Sequence, residues 1–496
     1  MGGQTTSPEV VVRPEDGRVI ASALGLVLLI AGAVVLSPLL LLIFEPQQLS
    51  FASPYWETGL PLAVAGVLLR RFFKPRQQVI TPANGMIVVF LSWTIVCVAS
   101  AFPVMAATGL NFTQGLFESV SGWTTTGLSL VDVEKVPRIL LLWRSIMQLA
   151  GGAGLAIVML AAFSLPVGAG IYRAEGKGEQ LVPSVARSSK IVLLLYSGYA
   201  VVGIIAYMLV GMNPFDAVNQ TFAAISTGGF STHSASIGYW HSPSVEAVSI
   251  VLMIAGNLNF ATAYLLVRGK FKAFILNVEI RTFVVMLIVT IPLVLFFVTD
   301  SLYPTLSKAV RVAIFETVSA LTTTGFSTVS YGNWKGAGWL ILVILMLIGG
   351  GTCSTAGGLK QYRVYLLWRA MVWEIRRLIV PSRTVHEHRV WAGEFPIYPD
   401  QTAFLQAGIF TFMYLLLFFA GTVIMTLYGI PLKAALFEFA SSIGTVGLSV
   451  GVTVPNLPAP ILWMQIFAMF LGRLEFFVAF GAVAALVRKL FRRYIV

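Results

Sequence analysis

Long apolar runs dominate this sequence and place the chain in a lipid bilayer. A membrane-spanning helix needs about 20 apolar residues, and ten runs reach or approach that length. They are residues 20–44, 57–70, 84–108, 139–166, 189–211, 243–268, 282–299, 337–368, 403–429 and 459–487. Only 11% of the residues are charged, compared with about 25% in soluble domains. We therefore predict an all-α, polytopic membrane protein.

Basic clusters predict how the chain is oriented in the membrane. Lys and Arg concentrate at residues 70–76, 268–272, 360–389 and 488–493. Because such residues are retained on the cytoplasmic side, we place all four clusters and both termini inside the cell. The same bias explains the formal net charge of +12, so we expect no nucleic-acid partner. The first run is too long for a signal-peptide core, and we expect it to remain as a helix.

The residue types that usually carry cofactors or catalysis are sparse. Cys97 and Cys353 are the only cysteines, and the four histidines have no zinc-ligand spacing. The spans contain no HExxH motif, no clustered acid–base set and no nucleophile arrangement, which argues against an enzyme. No phosphate-binding glycine motif is present either, so nucleotide control would have to come from a separate subunit. We expect no bound prosthetic group.

Four segments between the predicted spans share a polar, glycine-ended motif. They read FESVSGWTTTGLS (117–129), NQTFAAISTGGFS (219–231), FETVSALTTTGFS (315–327) and FEFASSIGTVGLS (437–449). Each begins with an apolar stretch too short to cross the membrane, which is typical of a re-entrant helix. In the second segment, Asn213 and Pro214 provide a helix N-cap and first residue. One such motif could be an ordinary helix-ending turn, but four at equivalent places predict an internal fourfold repeat.

Non-helical backbone at membrane depth must be buried in protein or line a water-filled path. Four segments around one axis can present rings of carbonyl oxygens, which replace the hydration shell of a monovalent cation. The C-terminal ends of the short helices also favour a cation. Nine residues before each glycine stand Glu118, Gln220, Glu316 and Glu438. They either strengthen the outer field for cations or bond backbone amides behind the segments, and we favour the supporting role.

These motifs, TTTG, STGG, TTTG and TVG, resemble those of the Trk/Ktr/HKT superfamily of potassium transporters over residues 84–487. The two additional N-terminal spans look more like the TrkH subunits of bacterial Trk systems than the shorter KtrB. The resemblance implies four pseudo-symmetric span–pore-helix–filter–span repeats around a central pore, preceded by a two-helix hairpin. It also implies a homodimer in the bacterial inner membrane that transports K⁺ and is opened by a TrkA-like cytosolic nucleotide-binding subunit.

The expected parts of the chain are a tail and hairpin followed by four pore repeats. Their boundaries are 1–76 for the hairpin and 77–180, 181–272, 273–395 and 396–496 for the repeats. The third repeat includes a gate loop and a basic cytoplasmic loop, and the basic stretch 360–389 is a candidate contact for the regulatory subunit.

When the family's filter positions are carried over to this sequence, the resemblance implies four filter residues in each segment. They are Thr124, Thr125, Thr126 and Gly127; Ser226, Thr227, Gly228 and Gly229; Thr322, Thr323, Thr324 and Gly325; and Gly444, Thr445, Val446 and Gly447. Plant relatives with serine at the first filter glycine favour sodium, so glycine at all four places implies selectivity for K⁺. The fourth segment departs from the threonine pattern.

A glycine-rich stretch, GGGTCSTAGG, interrupts the run at 337–368. It comprises Gly349, Gly350, Gly351, Thr352, Cys353, Ser354, Thr355, Ala356, Gly357 and Gly358. Each glycine costs a helix about 1 kcal/mol relative to alanine, so we predict that the helix breaks here. The alternative is close helix packing through small residues. In the resembling family, such a loop lies under the filter as a gate.

Charged and amide side chains occur inside two other spans. Arg473 and Glu475 are too poorly aligned on one helix to pair with each other. We place Arg473 toward the pore, as the resemblance implies, and Glu475 toward a neighbouring helix; a structural salt bridge of Arg473 is the alternative. Asn257 and Asn259 either line the pore or bond between helices.

The function favoured by these features is K⁺ uptake through a channel-like pore that is gated below its filter. The alternative is an ion-coupled secondary transporter with broken helices near the midplane, a class that usually shows twofold rather than fourfold repeats.

Overall fold

The computed structural model describes residues 16–74, 81–154, 185–379, 389–391 and 396–492. Helices account for most of these residues, and β1 (Val390–Trp391) pairs with β2 (Pro396–Ile397) in a short antiparallel ladder. The predicted all-α class is confirmed. The boundary expected near residue 180 lies outside the described residues, as does the basic stretch 380–388.

The chain begins with two helices packed backbone to backbone, α1 (Asp16–Leu36) and α2 (Ser53–Phe72), which two 3₁₀ turns connect (Ser37–Ile43 and Pro46–Phe51). A Cβ atom on Gly32 would lie 2.7 Å from the Gly59 carbonyl oxygen, and one on Gly25 would lie 2.8 Å from that of Gly66. The two pairs occur in opposite order along the helices, so the helices are antiparallel. Small residues permit this close approach, as is usual between membrane helices.

The rest of the chain follows one order four times: a long helix, a short helix and a second helix. The long helices are α3 (Pro82–Thr108), α6 (Val185–Leu209), α11 (Val278–Val294) and α15 (Gln401–Leu427). The short helices are α4 (Phe112–Trp123), α7 (Pro214–Ile225), α12 (Leu306–Leu321) and α16 (Leu432–Ile443). The second helices are α5 (Arg138–Ala153), α8 (Pro243–Asn257), α13 (Gly336–Ile348) and α17 (Ala459–Leu474). Further helices are α9 (Phe260–Val267), α10 (Phe271–Leu276), α14 (Gln361–Ile379) and α18 (Phe476–Arg492).

Local side-chain chemistry marks where the first two short helices begin. Asn111 and Gln114 form a capping box, each side chain bonding the other residue's backbone amide at 3.0 Å. Asn213 accepts from the Asp216 amide at 2.9 Å and Pro214 is the first helical residue, as the sequence predicts. Such caps satisfy amides that the helix itself leaves free.

Each short helix packs against both helices of its own unit and the second helix of the preceding unit. Thus α4 contacts α17, α7 contacts α5, α12 contacts α8, and α16 contacts α13. The last unit touches the first, so the contacts close into a cycle. This packing encloses the short helices, and most of their residues are buried.

Among the described residues, five helical segments are long and apolar enough to cross a membrane, and two bent pairs bring the number to seven. The bent pairs are Pro243–Asn257 with Phe260–Val267, at 113°, and Ala459–Leu474 with Phe476–Lys489, at 99°. The prediction of continuous spans at 243–268 and 459–487 was therefore wrong. Asn259 accepts from the Ala261 amide at 2.8 Å and caps a new helix, while Glu475 adopts a positive φ of 58°. Apolar composition alone does not reveal either break.

Candidate functional site

The four glycine-ended segments meet in a closed ring. A Cβ atom on Gly127 would overlap the carbonyl oxygen of Gly228, which precedes Gly229 in the next segment. The same relation joins Gly229 to Thr324, Gly325 to Val446, and Gly447 to Thr126. We call Gly127, Gly229, Gly325 and Gly447 the glycine ring. Any side chain on these glycines would displace a neighbouring carbonyl, so the ring requires glycine for space as well as for conformation.

A threonine in a left-handed conformation ends every short helix. Thr125, Thr227, Thr323 and Thr445 have φ of 56°, 51°, 53° and 50°, and we call them the second-position threonines. A positive φ is a genuine outlier for a β-branched residue and costs on the order of 1–3 kcal/mol, a strain that concentrates at functional sites. The ring glycines also have positive φ, from 73° to 97°. All four segments therefore share one unusual backbone path.

Equivalent hydrogen bonds maintain that path. The residue after each second-position threonine donates its amide to a helix carbonyl five residues earlier. These bonds are Thr126 to Ser121 at 2.9 Å, Gly228 to Ala223 at 2.8 Å, Thr324 to Ser319 at 3.0 Å and Val446 to Ser441 at 2.9 Å. This is the long bond of a Schellman motif, which usually has glycine at the left-handed position. Threonine stands at that column in all four aligned segments, a signal that our emphasis on the glycines overlooked.

The fourth segment, which departs from the others in sequence, has the same conformation. Gly444 is right-handed at φ −77°, as Thr124 is in the first segment. Thr445 then takes the left-handed position and Val446 precedes the ring glycine. The fourth segment thus keeps the same backbone path although glycine and valine replace the threonines on either side of Thr445.

The polar side chains nine residues before each glycine lie behind the ring and hold the chain that follows it. Glu438 accepts from Ser449 at 2.5 Å, from Thr453 at 2.8 Å and from the amides of Val450 and Val452 at 2.8 and 3.2 Å. Glu316 accepts from the amide and hydroxyl of Thr328 and from Tyr331. All four side chains are fully buried. Their contacts agree with the supporting role favoured from the sequence.

The first carboxylate has a cationic partner that the sequence analysis missed. Arg144 of α5 is buried, lies 3.6 Å from Glu118, donates to Ser129 at 2.8 Å and stacks over Phe230 at 3.9 Å. The guanidinium therefore links the first segment to the second. An arginine in the middle of a mostly apolar helix was the available signal.

A cavity of about 580 Å³ lies on one side of the glycine ring. It is lined by the ring glycines and by residues that follow them, including Ser129, Ser231, Ser327 and Ser449. Arg144 and His233 also reach it. The second-position threonines precede the glycines and do not line this cavity; three of them contact the loop on the other side of the ring.

On that other side lies the glycine-rich stretch. α13 ends at Ile348, residues 349–360 are not helical, and α14 begins at Gln361, so the predicted break is present. Thr227 donates to the Thr355 hydroxyl at 3.1 Å, and the Gly357 amide donates to the Thr323 hydroxyl at 2.7 Å. A Cβ atom on Gly357 would overlap Thr445. The loop thus lies directly against three of the four second-position threonines.

Arg473 ties this loop to the end of α5. Its guanidinium donates to the Thr355 carbonyl at 2.5 Å and to the carbonyls of Gly151 and Gly152 at 2.6 and 3.1 Å. Glu475 turns away and pairs with Arg363 of α14 at 2.6 Å. The two charges face different partners, although the reason is a helix break at Glu475 rather than the helical rotation assumed from the sequence.

The two asparagines at the break in the second unit also hold the loop. Asn257 accepts from the Gly351 amide at 3.3 Å, and Asn259 donates to the Thr352 hydroxyl at 3.4 Å. Glu279 accepts from the amide and hydroxyl of Thr352 at 2.7 Å. Both asparagines therefore make polar contacts between elements.

Comparisons with known proteins agree on one family. A family model described as TrkH, cation transport protein, matches residues 59–486. A Trk system potassium uptake protein TrkH from Halomonas elongata is 31% identical over 482 residues, covering 93% of this chain and 97% of that protein. The protein of that name from Escherichia coli is 31% identical over 484 residues, with the same coverage. The crystal structure of the potassium transporter TrkH from Vibrio parahaemolyticus is 27% identical and has a TM-score of 0.81, covering 93% of this chain and 97% of that one.

The family model covers most of the chain, and the curated relatives match nearly end to end. The apolar helices make this a multi-pass membrane protein. The chain therefore belongs to the TrkH family of cation transport proteins, whose members are transporters rather than enzymes.

Proposed function

We propose that this chain takes up K⁺ across the bacterial inner membrane through a channel-like pore, with the glycine ring at its selectivity filter. The observation that carries the proposal is the closed set of contacts from each ring glycine to the pre-glycine carbonyl of the next segment. The relatives named as potassium uptake proteins supply the ion.

The filter would act through backbone oxygens. Four segments with the same backbone path can supply four equivalent carbonyls at each level, and such levels replace the hydration shell of a dehydrated monovalent cation. The short helices direct their C-terminal ends at the ring, and the partial negative charge of a helix C-terminus favours a cation. The filter residues are those carried over above, from Thr124–Gly127, Ser226–Gly229, Thr322–Gly325 and Gly444–Gly447.

The glycine-rich loop would be the gate. In the structure its residues 354–358 are buried and the loop lies against three of the second-position threonines, so an ion leaving the ring would meet the loop. Arg473 places a positive charge beside the same path. Opening requires the loop to leave the threonines and the guanidinium to release Thr355. We assign gate residues Gly349–Gly358 and Arg473 on these grounds.

A cytosolic nucleotide-binding subunit would control the gate through α14. This helix begins directly after the loop, and its last turn contains Arg376 and Arg377. A partner that pulls on α14 would move the loop without touching the filter. We further propose a homodimer, cytoplasmic termini and the division into a hairpin and four repeats given above.

The bent helices favour one alternative, an ion-coupled secondary transporter. Yet the second helix of every unit ends at a similar distance along the chain from its ring glycine, at Ala153, Asn257, Ile348 and Leu474. This fourfold recurrence is better explained by one pore than by a twofold exchange mechanism.

The decisive experiment is rescue of a potassium-uptake-deficient bacterium at low external K⁺, with and without a co-expressed regulatory subunit. Rescue that depends on the subunit supports the proposal. Failure to rescue, together with saturable Na⁺- or H⁺-coupled solute uptake in proteoliposomes, would favour the alternative.

A further inference from the structure

The second segment lacks the side chains that hold the residue before the ring glycine elsewhere. In the first segment the Thr126 hydroxyl bonds that of Thr124 at 2.8 Å, and in the third Thr324 bonds Thr322 at 2.8 Å. The fourth segment has the β-branched Val446. In the second segment this residue is Gly228, followed directly by Gly229. Two consecutive glycines have the greatest backbone freedom of any pair.

A second support is also missing there. Six residues before the ring glycine, the other three short helices have a serine. Ser121 accepts from the Gly127 amide at 3.1 Å and donates to the Leu128 carbonyl at 2.6 Å. Ser441 accepts from the Gly447 amide at 2.9 Å, and Ser319 donates to the Phe326 carbonyl at 2.6 Å. The second short helix has Ala223 at this position, which can do neither.

Gln148 of α5 holds this part of the second segment from outside, through backbone groups other than those that the serines bond. Its amide nitrogen donates to the Gly228 carbonyl at 2.5 Å, and its oxygen accepts from the Phe230 amide at 3.1 Å. The side chain is fully buried. A Cβ atom on Gly228 would overlap the Gln148 side chain. Residue 228 must therefore be glycine, since the Gln148 side chain fills the space that a threonine side chain occupies in the first and third segments.

The carbonyl that Gln148 holds is one of the four ring carbonyls. Gly228 O is the oxygen against which Gly127 packs, just as Thr126 O is the oxygen against which Gly447 packs. Discrimination between K⁺ and Na⁺ depends on the position and field of such oxygens. An unrestrained Gly-Gly unit would let this oxygen move toward a smaller ion.

We propose that Gln148 is a positioning residue for ion selectivity: by holding the Gly228 carbonyl, it completes the filter from the helix of the neighbouring repeat. This inference rests on the proposed filter function. It predicts that α5 affects ion selectivity by holding the second segment, although α5 itself contributes no filter residue.

The test replaces the amide and measures selectivity. Gln148→Leu and Gln148→Met remove both hydrogen bonds at similar volume, and each is expected to lower the K⁺/Na⁺ permeability ratio about five- to tenfold, the effect of losing roughly one net hydrogen bond. Gln465→Leu is the matched control, because Gln465 is also a fully buried glutamine of a second helix but bonds only the hydroxyls of Ser442 and Thr453. Equal ratios in Gln148→Leu and Gln465→Leu would overturn the inference.

A rescue variant separates positioning from general stability. Ala223→Ser restores the helix serine of the other segments, and in the Gln148→Leu background it should recover at least part of the lost ratio. A loss of ratio that Ala223→Ser leaves unchanged would contradict the inference. If Gln148→Leu does not accumulate, the purified Gln148→Met protein in detergent gives a second readout. The difference between its thermal unfolding midpoints in K⁺ and in Na⁺ should be smaller than that of the unaltered protein. An equally large difference would contradict the role of Gln148.

Failure of this inference can be told from failure of the filter proposal. If Gly127→Ser changes the K⁺/Na⁺ ratio and Gln148→Leu does not, the filter stands and Gln148 has no role in selectivity. If Gly127→Ser also leaves the ratio unchanged, the filter assignment itself fails.

Discussion

The two sides of the glycine ring are held in different ways. On the cavity side, buried carboxylates bond several backbone amides and hydroxyls each, as Glu438 does with four groups. On the loop side, single hydroxyl bonds join the glycine-rich loop to the second-position threonines, and side chains from other elements, Asn257, Asn259, Glu279 and Arg473, hold the loop itself. Dense networks behind the segments resist rearrangement, whereas a loop that meets the threonines through single hydroxyl bonds can leave them for a second arrangement. This difference is what the proposed filter and gate require, and four predictions test it.

The largest expected effect follows from breaking the rigid side. Glu438→Ala removes the acceptor of two part-buried backbone amides, the part-buried Ser449 hydroxyl and the buried Thr453 hydroxyl, and a donor left buried without a partner costs about 1–3 kcal/mol. We expect the protein to lose most of its thermal stability or to fail to accumulate, as measured by detergent thermal unfolding and size-exclusion profile. Glu374→Ala is the control, since Glu374 is 73% exposed and its pair with Arg377 is on the surface. A stable Glu438→Ala protein would show that the carboxylate is dispensable.

The next effect concerns the ring itself. Gly127→Ser introduces a side chain where a Cβ atom already overlaps Gly228 O, at a φ of 91°. We expect the K⁺/Na⁺ permeability ratio to fall by about tenfold or more, since the displaced carbonyl is a proposed ion ligand. Gly109→Ser is the control: Gly109 also has a positive φ, of 71°, but nothing lies within 4 Å of its added Cβ. If both variants change the ratio equally, backbone strain rather than ring geometry is responsible.

On the movable side, Arg473→Gln is expected to favour the open gate. The substitution removes the charge-assisted bonds from the guanidinium to Thr355 and to the end of α5. K⁺ uptake without the regulatory subunit should rise by about tenfold, which corresponds to a shift of ~1.4 kcal/mol in the gating equilibrium. Radioactive rubidium uptake into proteoliposomes measures this basal flux. The K⁺/Na⁺ ratio should remain unchanged, and a fall in basal flux would assign Arg473 to ion passage instead of closure.

The smallest effect is expected from Arg363→Gln. This residue pairs with Glu475 at 2.6 Å, and both side chains are 19% exposed. It does not bond the part of the loop that covers the threonines, so we expect basal uptake to rise only about threefold, which corresponds to a shift of ~0.6 kcal/mol in the gating equilibrium. The basal uptake of the double variant Arg363→Gln/Arg473→Gln shows whether the contacts of the two arginines act independently. An effect of Arg363→Gln larger than that of Arg473→Gln would reverse their order of importance.

Patterns that repeat along the chain could be predicted from the sequence. Apolar runs indicate membrane helices, because each must satisfy its own backbone in lipid. The four aligned glycines indicated equivalent segments, and the glycines at 349–351 and 357–358 indicated a broken helix. Asn213 and Pro214 indicated the start of α7 by local capping chemistry. In each case the signal depends on residues close together in the chain.

Contacts between distant residues could not be predicted in this way. Gln148 and Gly228 are 80 positions apart, and Arg473 and Gly151 are 322 apart. The apolar run around Glu475 does not indicate that its helix ends there, or that Glu475 pairs with Arg363 of another helix. By itself the sequence determined the membrane class, the repeated segments and the residues placed at the ring. Only the tertiary structure decided which side chains hold each segment, because hydrogen-bond partners in a packed core are selected by proximity in space and not by spacing along the chain.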